Sequence, residues 1–188
     1  YKKALAIEPN NSDIYCNIGA SLQEQGKLEE SIEAFNKAIS LNPEYAEAYY
    51  NMGISLQKLR EIEEAIKKYQ KAISIKANYA EAYGNLANLL KDQGKSDEAI
   101  EVYQKAILIK PDYFTAYYNL GIILCEQEMF EDGIDAFNKA ILIKPDYAEA
   151  FNNLGVALQD KGILKDAEAA YKKAISIKPD YAEAYNNM

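Results

Sequence analysis

Five prolines, Pro9, Pro43, Pro111, Pro145 and Pro179, fall on one 34-residue grid, with Ala77 in the only vacant slot. Taking residue 12 as position 1 gives full repeats at 12–45, 46–79, 80–113, 114–147 and 148–181, with partial repeats at 1–11 and 182–188. Position 4 is then Tyr15, Tyr49, Tyr83, Tyr117, Phe151 and Tyr185, and position 8 is Gly19, Gly53, Ala87, Gly121 and Gly155. Position 24 is Tyr1, Phe35, Tyr69, Tyr103, Phe137 and Tyr171, and position 27 is Ala4, Ala38, Ala72, Ala106, Ala140 and Ala174. A unit of this length cannot bury its apolar residues alone, so neighbouring units must stack into a continuous core.

The spacing predicts two helices per unit. Gly26, Gly94 and Gly162 at position 15 mark the turn between them, and the proline grid ends the second. At helical periodicity, positions 4, 7, 8 and 11 share one face of the first helix. The second helix presents positions 20, 24, 27 and 28, the last being Ile39, Ile73, Ile107, Ile141 and Ile175. Small residues at 8, 20 and 27 let two helices approach closely, and the rings at 4 and 24 fill the remaining space.

These residues resemble the tetratricopeptide repeat family, and the resemblance covers the whole chain. It implies an all-α, right-handed α-solenoid of stacked antiparallel helix pairs. Ser31 and Gly133 depart from Ala at position 20, Ala77 from Pro, Arg60 and Glu128 from the turn Gly, and Glu168 from the position-21 isoleucines. These departures bear on where the helices end and not on the fold. Segments such as Asp146 to Gly155 and Asp180 to Met188 look most like the repeat arm of O-GlcNAc transferases. Because the chain opens inside a second helix and stops inside a first helix, a piece of a longer array is expected, with end-to-end association through its uncapped ends.

Composition narrows the chemistry. There is no His or Trp and there are only two Cys, so a histidine base, a His-ligated metal and a cysteine-cluster zinc site are excluded. No phosphate loop or nucleophile elbow occurs, and neither an enzymatic activity nor a cofactor is expected. Paired carboxylates at Glu29 and Glu30, Glu63 and Glu64, Asp97 and Glu98, and Glu131 and Asp132 recur in the first turn of each second helix, where the helix dipole favours acids. Cys16 and Cys125 lie three repeats apart and are expected to be reduced thiols of an intracellular, cytoplasmic or nuclear protein. A net charge of −8 disfavours nucleic acid as a partner, and no apolar run is long enough for a membrane helix.

Position 6 is Asn in all six first helices: Asn17, Asn51, Asn85, Asn119, Asn153 and Asn187. It lies away from the core face, on a stripe with positions 2, 5, 9, 12 and 13, and Asn is a mediocre helix former. Two readings follow. The amides can brace neighbouring helices, or they can hold the N–H and C=O of an extended peptide. The family resemblance implies the second, since first helices line its concave surface and an asparagine ladder there holds peptide backbone in O-GlcNAc-transferase-like arms.

The same stripe carries nine carboxylates, Asp13, Glu47, Glu81, Glu149 and Glu183 at position 2 and Glu24, Asp92, Glu126 and Asp160 at position 13. Only Lys58 and Lys91 oppose them, a net −7 of the chain's −8. Either this is a solvated face or the groove selects basic segments. Family members that clamp acidic C-termini use Lys and Arg at positions 2, 5 and 6; here those slots hold acids, Asn, Tyr50, Tyr118, Cys16 and Gly84, so no such clamp is expected. The expectation is therefore a scaffold that binds a protein or peptide, extended and basic, in its concave groove. The alternatives are the substrate-recognition arm of a protein O-glycosyltransferase and an architectural spacer.

Overall fold

The computed structural model describes residues 7–188, so the ring at Tyr1 and the alanine at Ala4 lie outside the described residues. Eleven helices and no strand occur among the described residues. In chain order they are α1 (Ser12–Glu24), α2 (Leu28–Leu41), α3 (Ala46–Lys58), α4 (Ile62–Ile75), α5 (Ala80–Asp92), α6 (Ser96–Ile109), α7 (Phe114–Glu126), α8 (Phe130–Ile143), α9 (Ala148–Asp160), α10 (Leu164–Ile177) and α11 (Ala182–Asn187). Each full repeat thus holds a first helix of 13 residues and a second of 14. Two compact units divide at Leu89 and Leu90. In the first, α1 to α4 pack in sequence, and α1 also touches α3; in the second, α6 to α11 do the same, with α7 touching α9 and α9 touching α11.

The turn between paired helices closes the same way in every repeat. The residue at position 15 adopts the left-handed conformation, with φ of 76° at Gly26, 75° at Gly94 and 76° at Gly162. Arg60 and Glu128 adopt it too, with φ of 66° and 60°. Two backbone bonds then close each helix end: Gly26 N–H donates to Gln23 (3.0 Å) and Lys27 N–H to Leu22 (2.9 Å), and Glu128 N–H donates to Cys125 (3.0 Å) and Met129 N–H to Leu124 (2.8 Å). The helices at Arg60 and Glu128 therefore end as they do at the glycines, because this bond pair holds the residue in place against its own conformational preference.

Packing explains the small positions. In the four repeats with Gly at position 8 the position-24 ring packs against that glycine: a Cβ on Gly19, Gly53 or Gly121 would stand 2.6, 2.6 or 2.7 Å from Phe35, Tyr69 or Phe137, and one on Gly155 would strike Tyr171. Phe35, Tyr69, Phe137 and Tyr171 are accordingly buried, as are the alanines Ala38, Ala72, Ala106, Ala140 and Ala174. The two departures at position 20 have local causes. Ser31 is buried and satisfied, donating to Leu28 O (2.7 Å) and sharing a 2.8 Å bond with the Ser55 hydroxyl, which also accepts from Gln23 (2.7 Å). Gly133 leaves room for the Cys125 sulfur, which a Cβ there would strike. The Asn11 side chain caps α1, accepting from the backbone of Asp13 (2.9 Å) and Ile14 (3.2 Å).

Candidate functional site

The position-6 amides sit on the first helices at a consistent depth. Asn51, Asn85, Asn119, Asn153 and Asn187 are half-buried, and Asn17 is exposed. Position 6 bonds to position 5 one repeat earlier: Asn85 Nδ2 donates to the Tyr50 hydroxyl (3.4 Å), Asn153 Nδ2 to the Tyr118 hydroxyl (3.1 Å) and Asn187 Nδ2 to Asn152 Oδ1 (3.1 Å). Asn51 bonds to Cys16 in the same relation. In the third repeat position 5 is Gly84, which has no side chain, and Asn119 bonds instead to the Tyr103 hydroxyl. The bracing contacts of the first reading are therefore present. They do not exhaust the amides: Asn85 also reaches the Tyr69 hydroxyl at 3.5 Å with the same nitrogen, and its Oδ1 accepts nothing from the described residues.

A row of tyrosines that the sequence reading passed over completes this face. Position 34 is Tyr45, Tyr79, Tyr113, Tyr147 and Tyr181, and that recurrence was the available signal. Tyr79 packs on Tyr50 with ring centroids 4.8 Å apart, and Tyr147 packs on Tyr118 at the same separation. Tyr45 bonds to Asp13 and Cys16. A lysine three residues earlier covers four of these rings: Lys76 lies 4.6 Å from the Tyr79 ring centre, Lys110 5.2 Å from Tyr113, Lys144 5.2 Å from Tyr147 and Lys178 4.9 Å from Tyr181. Burial pushes the hydroxyls of Tyr79, Tyr118 and Tyr147 above their ordinary range, so they remain donors at neutral pH.

These lysines change the charge pattern. Positions 2 and 13 are opposite ends of one helix, about 16 Å apart at 1.5 Å per residue. At the position-2 end, Glu149 lies 3.8 Å from Lys178, and Glu183 accepts from Asn152 (3.2 Å). Asp13 and Glu47 are exposed there and Glu81 half-buried. At the position-13 end, Glu24, Asp92, Glu126 and Asp160 are exposed, and Glu126 and Asp160 pair with no Lys or Arg among the described residues. Glu149 is thus matched by a base, whereas Glu126 and Asp160 are not matched by one among the described residues.

No group of three His, Cys, Asp or Glu is placed to hold a metal ion among the described residues, and no described helix is long and apolar enough to cross a membrane. The thiols of Cys16 and Cys125 are free, and burial raises both above the ordinary thiol range, Cys125 to about 11.

Profiles described as TPR repeat match residues 21–59, 61–94, 87–127 and 123–162, and profiles described as tetratricopeptide repeat match 1–33 and 148–181. A comparison with curated proteins finds no match. Among solved structures, YrrB, described as a TPR protein with an unusual peptide-binding site, is 24% identical, with 98% of this chain and 95% of that chain covered and a TM-score of 0.81. A MamA protein is 27% identical, with 92% and 94% covered and a TM-score of 0.80. MamA from Desulfovibrio magneticus RS-1 is 23% identical, with 91% and 97% covered and a TM-score of 0.81. Stacked antiparallel helix pairs, the ring-on-glycine packing in four repeats and profile matches along nearly the whole chain place this protein in the tetratricopeptide repeat family.

Proposed function

We propose that this chain, as a protein–protein interaction scaffold of the tetratricopeptide repeat type, holds an extended basic segment of a partner along the first helices of its second compact unit. The observation that carries the reading is the co-location, in the second unit, of the half-buried amides Asn119, Asn153 and Asn187 with Glu126 and Asp160, which pair with no Lys or Arg among the described residues. An amide with an acceptor to spare can take a backbone N–H of a peptide whatever its side chains are. The two carboxylates then favour Lys and Arg and speed encounter with a basic segment. The stacked tyrosines of positions 5 and 34 offer rigid, amphipathic surface of the kind that dominates protein interfaces.

Fluorescence anisotropy with three capped octapeptides, repeating Lys-Ser, Gln-Ser and Glu-Ser, tests the reading at about 0.1 M and about 1 M salt, across which the screening length falls from about 10 Å to about 3 Å. The Lys-Ser peptide is expected to bind best and to weaken as salt rises. Equal binding of all three peptides, preference for Glu-Ser, or no binding of any would overturn it.

A further inference from the structure

The fourth repeat departs from its neighbours at two positions that face each other. In the second and fifth repeats position 12 is Gln and position 24 is Tyr, and the two are joined: Tyr69 OH donates to Gln57 Oε1 and Tyr171 OH to Gln159 Oε1, each at 2.8 Å. In the fourth repeat both groups are missing, since position 12 is Cys125 and position 24 is Phe137. The shorter side chain leaves the Phe137 ring as the floor of a cleft of about 280 Å³. Ile122 and Val156 form apolar walls, and Cys125 and Asn153 line it between them. Glu126 and Asp160 also line it, from the last turns of α7 and α9. Both carboxylates are exposed, and neither pairs with a base among the described residues. Their reach into the cleft is felt by the Cys125 thiol, which burial, then Asp160, then Glu126 push upward.

We propose that this cleft seats one lysine or arginine side chain of the bound segment, its methylene stem against Ile122, Val156 and Phe137 and its cationic head between Glu126 and Asp160. Long basic side chains divide in this way, with an apolar stem and a charged tip that stays near water. An acidic rim without the apolar walls would attract any cation, and the walls without the rim would take any aliphatic side chain; the combination selects both features at once. The inference rests on the reading of the first-helix face as a peptide groove and adds to it a fixed anchoring point.

The test uses the same Lys-Ser octapeptide and a counterpart in which every Lys is norleucine, which keeps the stem and removes the charge. Binding is followed by anisotropy and, separately, by the rate at which N-ethylmaleimide labels Cys125, read by mass spectrometry of its tryptic peptide; Cys16, 3% exposed, serves as the internal reference. The Lys-Ser peptide should slow labelling of Cys125 several-fold at saturation, and the norleucine peptide should not. The double variant Glu126→Gln, Asp160→Asn should lose about two- to thirtyfold in affinity, the sum of two charge contacts near the surface. Val156→Arg, which tethers a cation in the cleft, should lose affinity to a similar degree. If Lys-Ser binds but Cys125 labelling and the affinity of all variants stay unchanged, the cleft is not the seat and the groove reading survives without it. Equal protection by norleucine reduces the cleft to an apolar slot and overturns the proposal. Absence of any binding to the wild-type chain removes the groove reading and the subsite together.

Discussion

The pair Asn153 and Tyr118 separates the bracing role of the amides from the binding role. Tyr118→Phe removes the hydroxyl that accepts from Asn153 at 3.1 Å and keeps the ring against Tyr147 (4.8 Å) and Phe137 (6.1 Å). Its cost should be that of one hydrogen bond, about 1 kcal/mol. Asn153→Ala removes the same bond and also the acceptor for Asn152 at 3.3 Å, but Asn152 keeps Glu183 at 3.2 Å, and Ala is the better helix former by about 0.6 kcal/mol. A net loss under about 1 kcal/mol follows. In urea titrations followed by far-ultraviolet circular dichroism, the double-mutant cycle should show a coupling of about 1 kcal/mol. Affinity for the Lys-Ser octapeptide gives the second readout. Tyr118→Phe leaves the amide in place and should change binding little, whereas Asn153→Ala should weaken it about threefold to tenfold through the lost peptide contact. Coupling below about 0.3 kcal/mol would refute the brace. Unchanged affinity in Asn153→Ala would refute the part given to the amide in binding.

The left-handed turns make a second prediction: Glu128→Gly and Arg60→Gly should each stabilise by about 0.5–1 kcal/mol, and Gly94→Ala should cost as much although a Cβ there meets nothing within 4 Å, because the backbone alone decides the outcome. Thermal melts should register about 2–4 °C per kcal/mol for a chain of this size, and loss of stability in both Gly variants would show that the two side chains hold their turns. A third prediction concerns alkali: burial raises the hydroxyls of Tyr45, Tyr69, Tyr79, Tyr103, Tyr118, Tyr147 and Tyr171, carries Tyr181 to about 12 and raises both thiols, so above about pH 9 the native chain binds more protons than the unfolded one. Stability from these groups is complete below that pH and is lost as pH rises through 10 and beyond; a melting temperature flat from pH 8 to about 11 would contradict it.

The fold was legible because each packing rule is repeated several times in the sequence. A lone Gly53 says little, but Gly at position 8 opposite a ring at position 24 in four repeats identifies a close approach, and the structure shows the ring occupying the space a Cβ would need. Departures were harder to interpret. Arg60 and Glu128 replace glycine where a positive φ is required, and no pattern in a single sequence says whether the turn or the residue gives way. The backbone bonds to Gln57 and Cys125 on one side and to Leu56 and Leu124 on the other hold the turn, so the residue bears the strain. Ser31 and Gly133 depart from alanine for reasons that lie elsewhere, at Ser55 in the next helix pair and at Cys125 in the preceding helix.

Most of the candidate site was visible as a column of identical residues, and what was missed depends on pairs of columns. Position 6 alone reads as an exposed amide in search of a ligand. Position 6 read against position 5 of the preceding repeat is a brace whose partner changes from Cys16 to Tyr50, Tyr118 and Asn152 while the amide stays the same. A donor that serves four different partners is not selected by any one of them, and that constancy is what a contact with invariant peptide backbone would also demand. Charge behaves similarly. Summed along the first helices it gives −7, but Lys178, stacked on the position-34 Tyr181, reaches the position-2 Glu149, whereas Glu126 and Asp160 at the position-13 edge pair with no base among the described residues. An extended basic segment drawn to that edge would lie across the amides with its cationic side chains on one side only. Alternate residues of an extended chain point to opposite sides, so a segment with Lys or Arg at every second position meets this geometry, and one with the same charges clustered in consecutive positions does not.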